Sequence, residues 1–147
     1  MNPRKRLSHE APHWVTSDAD YFVTICAEPR RRNHLCRPRI GKAILDAAKL
    51  YNEKHHWWCH VILLMPDHLH MLVAFPPEKI MSRVVGLWKR ALTRQHKIPW
   101  QRNYFDHRIR NDESDFYKSE YILDNPVRAG FVEKWQDWPY WWMPNLA

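Results

Sequence analysis

Cysteine is scarce in this 147-residue chain, and what there is does not pair: Cys26, Cys36 and Cys59 are odd in number, widely spaced and form no CxxC. That excludes a disulfide-stapled scaffold and a cysteine zinc knuckle. Cys26 and Cys59 fall inside apolar runs and read as small buried hydrophobes. No stretch approaches the roughly 18 consecutive apolar residues of a membrane span. The opening MNPRKRLSHEAPHW carries charge with no apolar run behind it, so it does not read as a secretory signal, and the expected home is cytoplasmic. Acidic residues are outnumbered, 16 Asp+Glu against 23 Lys+Arg, giving a net charge of +7 and a pI near 9.5. A field of that sign attracts polyanions and argues against a small hydrolase acting on cationic substrates. Internal repeats and a second domain are also missing, and the length suits one hydrophobic core.

Residues 1–19 read as an extended basic arm interrupted by Pro3 and Pro12, and residues 20–147 as one domain with a tryptophan-rich tail. YFVTICA predicts a strand at about 21–27. EPRRRNHLCRP is a proline-bounded loop and the densest basic patch in the chain. Ile40, Ile44, Ala47, Ala48 and Tyr51 give a helix over about 39–54 one apolar face. Residues 57–65 and 69–75 read as buried strands joined by Pro66-Asp67, a turn pair that makes them a hairpin. A second helix over about 78–96 has its stripe at Ile80, Val84, Leu87, Trp88, Ala91 and Leu92, with Lys89, Arg90 and Arg94 mainly on its polar side. A short strand at 104–109 precedes a third helix, for which Asp112 and Glu113 suit the N-terminus and Pro126 sets an end near Asn125. The order predicts an α+β, ferredoxin-like sandwich: a mainly antiparallel sheet with helices on one face. Of the nine tryptophans, Trp135, Trp138, Trp141 and Trp142 crowd the tail, where packing is the expected role ahead of base stacking.

In DHLHMLVAF the two-residue period of a strand puts His68 and His70 on one face, with Leu69, Met71, Val73 and Phe75 toward the core. Two imidazoles so placed can converge on one cation; alone, the pair reads first as two partly exposed histidines at a sheet edge. In SDFYKSEYILDNP, Tyr117, Tyr121 and Asn125 are four apart and share a helical face. Periodicity leaves open which tyrosine is reactive, and whether Asn125 gives an oxygen ligand or caps the helix. A phenol titrates near ~10 and needs help as a nucleophile at neutral pH. A divalent cation that polarises a phosphate supplies such help.

The string His68-Leu69-His70 resembles the histidine–hydrophobic–histidine motif of the single-tyrosine (HUH) transposases. MPDHLHMLV, WQRNYFDHRIR and YILDNPVRAGFV are similar to strings of the repeat (REP)-associated branch, and the resemblance spans about residues 20–140. It implies a metal-binding pair in His68 and His70, a catalytic tyrosine in Tyr121, and a completing ligand in Asn125. It also implies Mg²⁺ or Mn²⁺ as cofactor, the histidines making Mn²⁺ acceptable. The implied activity is cleavage of single-stranded DNA beside hairpins of palindromic repeats, through a 5′-phosphotyrosine link, with strands rejoined without an external energy source. The alternative is an idle relative that only holds hairpins. Asp67 stands where similar sequences commonly have asparagine, in MPNH, and is expected to tune the neighbouring imidazoles. Arg30, Arg31, Arg32, Lys89, Arg90, Arg94 and Arg102 are candidate phosphate contacts, which position DNA without reading it; each reads as readily as a solvated surface charge. With no extra apolar helix asking for a partner, the reading leans to a monomer, a tyrosine-helix-exchanging homodimer being the other arrangement.

Overall fold

The computed structural model describes residues 11–15, 20–109 and 115–144. The expected basic arm, apart from 11–15, and the helix start at Asp112 and Glu113 lie outside them. Five strands form one sheet in the order β4-β1-β3-β2-β5. They are β1 (Asp20–Cys26), β2 (Trp58–Met65), β3 (His68–Ala74), β4 (Phe105–Arg108) and β5 (Trp141–Trp142), and every pairing is antiparallel. The helices are α1 (Pro38–Glu53), α2 (Met81–His96), α3 (Asp115–Leu123) and the single turn α4 (Asn125–Arg128). The α+β sandwich read from the sequence is therefore the fold. Among the described residues, no helix is long and apolar enough to cross a membrane.

Strand alternation sends two sets of side chains to opposite sides of the sheet. On one side Val23, Ile25, Ile62, Leu64, Leu69, Met71 and Val73 meet Ile44 and Ala48 of α1 and Val84, Val85, Trp88 and Leu92 of α2. Trp57 and Trp88, both buried, lie 5.2 Å apart in this core. Each such side chain contributes about 1.5–3 kcal/mol by leaving water, so this layer dominates stability. The other side carries a smaller cluster: Val61, Leu63, Met65 and Leu72 under Ile122 and Leu123 of α3. The two long helices thus share one face, and the tyrosine-bearing helix covers part of the opposite one.

The tail is structural, as expected of its tryptophans, and adds a strand that the sequence reading did not contain. β5 pairs with β2 through Leu63↔Trp141 and Ile62↔Trp142, which covers what would otherwise be an open sheet edge. Trp138 Nε1 donates to Leu64 O at 2.9 Å. Tyr140 lies against Gly41 so closely that a Cβ there would meet its ring at 2.6 Å, so only glycine lets α1 accept the tail.

The third helix ends earlier than expected. α3 stops at Leu123, and Asn125 opens α4 instead. Pro126 accounts for this: it has no N–H to give the Ile122 carbonyl, which accepts from Asn125 Nδ2 instead, and proline suits a first helical turn.

Candidate active site

His68 and His70 open β3 directly after the Pro66-Asp67 turn, on the face of the sheet away from α1 and α2. Their rings are 4.9 Å apart. Each is held through Nδ1. Asp67 Oδ1 lies 2.8 Å from His68 Nδ1, and Thr24 Oγ1 lies 2.9 Å from His70 Nδ1. Thr24 is on β1, directly opposite His70 in the register. An ionised carboxylate can only accept, so His68 Nδ1 donates, and in the neutral ring that leaves the lone pair on Nε2. A ring fixed in this way by an outer hydrogen bond is the usual arrangement for a metal-binding histidine. Burial, then the charges of His68 and Arg128, holds His70 down to about 4, so it stays neutral and able to bind a cation at physiological pH.

Asp67 is the hub of this corner. Its Oδ2 accepts from Arg30 Nε at 2.8 Å and from the Arg31 backbone N–H at 2.7 Å. Its own carbonyl accepts from Ala27 N at 2.8 Å, and the Pro66 carbonyl from His34 N at 2.8 Å. Arg31 sits at φ 68°, a left-handed geometry that costs a non-glycine residue of order 1–2 kcal/mol; the hydrogen bond from its N–H to Asp67 offsets that cost. Burial alone would raise the Asp67 carboxyl, but the donors Arg30, Arg31 and His68 outweigh it and hold it far below the usual carboxylate range. The basic loop and the histidine strand are therefore fastened together by one carboxylate.

Tyr121 lies on α3, which packs on this same face, and its side chain is 60% exposed. Phe22 joins it to the histidines: the Phe22 ring is 5.5 Å from His70 and 6.4 Å from Tyr121. Arg128, on α4, lies over the Tyr121 ring at 4.3 Å and donates from Nη2 to Tyr121 O at 2.8 Å. Asn125 donates from Nδ2 to Ile122 O at 2.9 Å, which is the helix-capping contact. That orientation uses the amide nitrogen and leaves Oδ1 for another partner, so capping and ligation do not compete. Tyr117 lies one turn before Tyr121 on α3.

The expected phosphate contacts separate on inspection. Arg30 stands at the site, and the exposed Arg32 shares its loop. Arg31 contributes its backbone to Asp67. Arg102 is exposed in the loop before β4, whereas Arg90 and Arg94 are exposed on α2, in the layer opposite the histidines. Lys89 is a correction. Its side chain is buried, and Nζ donates to the carbonyls of Gln101 at 2.7 Å, Arg102 at 3.2 Å and Asn103 at 3.5 Å. The ammonium anchors a loop and does not face solvent. Sequence reasoning also missed Arg128, Thr24 and Phe22. Arg128 had a signal, since it lies inside the string YILDNPVRAGFV.

Among groups of three or more His, Cys, Asp or Glu, none could hold a metal ion among the described residues. The chemistry of His68 and His70, two neighbouring imidazoles each held at Nδ1, is that of ligands for a divalent cation through Nε2.

Comparison with known proteins bears on the family and the fold. Residues 17–125 match the family model described as transposase IS200 like. A Haemophilus influenzae protein named for the REP-associated tyrosine transposases is 30% identical over 140 residues, covering 82% of this chain and 77% of that one. The Escherichia coli REP-associated tyrosine transposase is 30% identical over 86 residues, covering 53% of this chain and 49% of that one. The solved structure of a REP-associated tyrosine transposase bound to a REP hairpin superposes with a TM-score of 0.69 at 22% identity, covering 90% of this chain and 81% of that one. A protein with His68, His70 and Tyr121 so disposed, and with these relatives, belongs to the IS200-like, REP-associated tyrosine transposase family.

Proposed function

We propose that this chain cleaves and rejoins single-stranded DNA beside a hairpin, with Tyr121 as nucleophile and His68, His70 and Asn125 as the protein ligands of a divalent cation. The observation that carries the proposal is the Phe22 ring, which lies 5.5 Å from His70 and 6.4 Å from the exposed Tyr121, on the sheet face where both histidines are held at Nδ1. The Tyr121 phenol oxygen attacks phosphorus, the bond to the 3′ oxygen breaks, and the departing strand takes a proton to end in a 3′-hydroxyl. The 5′ phosphate stays on Tyr121. Attack by a 3′-hydroxyl reverses the step and restores the phenol, so a phosphodiester is exchanged without loss of its energy. Mg²⁺ or Mn²⁺, when bound, would draw charge from the nonbridging oxygens.

Arg128 acts at the same centre. One Nη2 hydrogen bond and the ring contact fix it beside Tyr121, and its remaining N–H groups can meet a phosphate in the forked geometry that suits arginine. Arg30 and Arg32 steer the backbone toward His68. With the Phe22 and Tyr121 rings of one chain 6.4 Å apart, both halves of the proposed site are taken from a single chain.

The test is a denaturation-resistant protein–DNA adduct. Full-length protein, Mn²⁺ or Mg²⁺ and single-stranded oligonucleotides carrying the host genome's palindromic repeats should yield it. Tyr121→Phe abolishes it and Tyr117→Phe does not. Binding of these hairpins with no adduct under any metal would leave an idle hairpin-holding relative. An adduct that survives Tyr121→Phe would overturn the assignment of the nucleophile.

A further inference from the structure

Among the described residues, β4 is a four-residue edge strand paired only to β1. Its Asp106 and Arg108 are charged, as expected where an edge must resist pairing with other chains. Phe105 breaks that pattern: it is 66% exposed. The register shows where it points. Phe105 is opposite Thr24, and Thr24 is opposite His70. Directly opposed residues share a face, so Phe105, Thr24 and His70 form a row across the sheet on the side that carries Tyr121. With strands about 4.8 Å apart, the row is roughly 10 Å from end to end. The next row runs His107, Phe22, Leu72 in the same sense.

The strand that presents Phe105 is firmly held. Lys89 ties the carbonyls of residues 101–103 just before it, and Gln101 N donates to Cys26 O at 2.7 Å. Beyond the strand, Ile109 N donates to Asp20 O at 2.9 Å. A buried lysine used to fix the approach to an exposed aromatic makes a rigid flat surface that loses little freedom when something stacks on it. Arg102, three residues before Phe105, and Arg30, four residues past the end of β1, are exposed cations, which suits a polyanion.

We infer that Phe105 is a stacking platform for an unpaired nucleobase of the single-stranded DNA that reaches the His68–His70 site. The inference rests on the proposed function and names a contact that function does not require. An aromatic face accepts any base, so Phe105 holds the strand in line with the site and reads no sequence.

The test is fluorescence anisotropy with the full chain in EDTA, which prevents cleavage. The probes are a short fluorescein-labelled oligo-dT and an oligomer of equal length whose central nucleotides are abasic. Wild type should bind oligo-dT on the order of tenfold more tightly than the abasic oligomer, the usual worth of one stacked base. Phe105→Ala should bind both alike, and Phe105→Trp should restore the preference. Phe105→Leu, which keeps apolar bulk without a flat face, should behave as Phe105→Ala and carries the test if the alanine variant folds poorly. A preference for oligo-dT that survives Phe105→Leu overturns the platform, and so does a change of oligomeric state on substitution, which would make Phe105 a protein contact. Either result leaves a Tyr121-dependent adduct intact. If wild type binds neither oligomer and forms no adduct, the platform and the function fall together.

Discussion

Asp67→Asn is the sharpest test of how the histidine pair is prepared. The carboxylate serves donors on both oxygens: His68 Nδ1 on Oδ1, and Arg30 Nε with the Arg31 N–H on Oδ2. An asparagine has one oxygen and one NH₂ for those two positions. With its oxygen kept on the arginine side, the NH₂ faces His68 Nδ1. That nitrogen must then accept, and the His68 proton moves to Nε2, where it blocks coordination. With the amide turned over, NH₂ meets two N–H donors, and leaving such groups unpaired costs about 1–3 kcal/mol. Either way the metal-ready tautomer of His68 is disfavoured. Outer partners of this kind are worth about 10–100-fold in metal affinity, or about 1.4–2.7 kcal/mol. The stability effect should be smaller, because the Arg30 side chain is 49% exposed and ion pairs of that kind contribute about 0–1 kcal/mol. Mn²⁺ titration followed by calorimetry or by the electron paramagnetic resonance of free Mn²⁺ gives the affinity, and thermal melting gives the stability. A variant that binds Mn²⁺ like wild type refutes the tautomer argument. A variant with weakened binding only in proportion to a large loss of stability refutes it too.

Arg128→Ala should slow adduct formation on the order of 10²-fold, the typical loss for one charge-stabilising donor, with little change in hairpin affinity; an affinity loss that accounts for the whole effect would make Arg128 an ordinary phosphate contact. Arg128→Lys should recover only part of the rate, since an ammonium lacks the fork. In the metal-free protein, His70 has a folded value of about 4 against an ordinary 6.5, from burial first and then His68 and Arg128. The unfolded chain therefore takes up the proton first, so this group's effect is nil above pH 6.5 and destabilising as pH falls toward 4, by up to about 3 kcal/mol. Urea midpoints at neutral pH and near pH 4.5 should show the loss, and His70→Gln should flatten it. Burial pushes the Cys36 thiol up to about 12, so iodoacetamide at pH 8 should label it far more slowly in the folded than in the urea-unfolded protein; equal rates would contradict its packing.

Much of the fold was legible because its signals are local. The Pro66-Asp67 turn between two apolar runs became the β2–β3 hairpin, and the stripes through Ile44 and Trp88 became α1 and α2 within three residues of the expected ends. What escaped depends on contacts distant in sequence. Pairing of Trp141 and Trp142 with β2 is decided by an open edge some eighty residues earlier. Lys89 lies at the boundary of its helix's apolar stripe, and only the path of residues 101–103 turns it inward. Arg128 stands seven residues from Tyr121, a spacing that on one continuous helix would bring the two to the same side. The chain breaks between α3 and α4, and the contact arises through that break.

The candidate site was legible in its identities and not in its wiring. His68, His70, Tyr121 and Asn125 could be named from strings, yet no string shows that Asp67 reaches back 37 residues to Arg30. That link changes how the basic loop is understood. As free surface charges, Arg30 and Arg31 would be interchangeable with Arg32. Fastened to Asp67, Arg30 places its guanidinium beside an imidazole, and the same carboxylate that orients His68 neutralises part of that charge until DNA arrives. A DNA phosphate that competed for Arg30 would therefore pull on the group that orients His68. On the proposed function, engagement of the DNA backbone and readiness of the histidine pair would be coupled through one carboxylate.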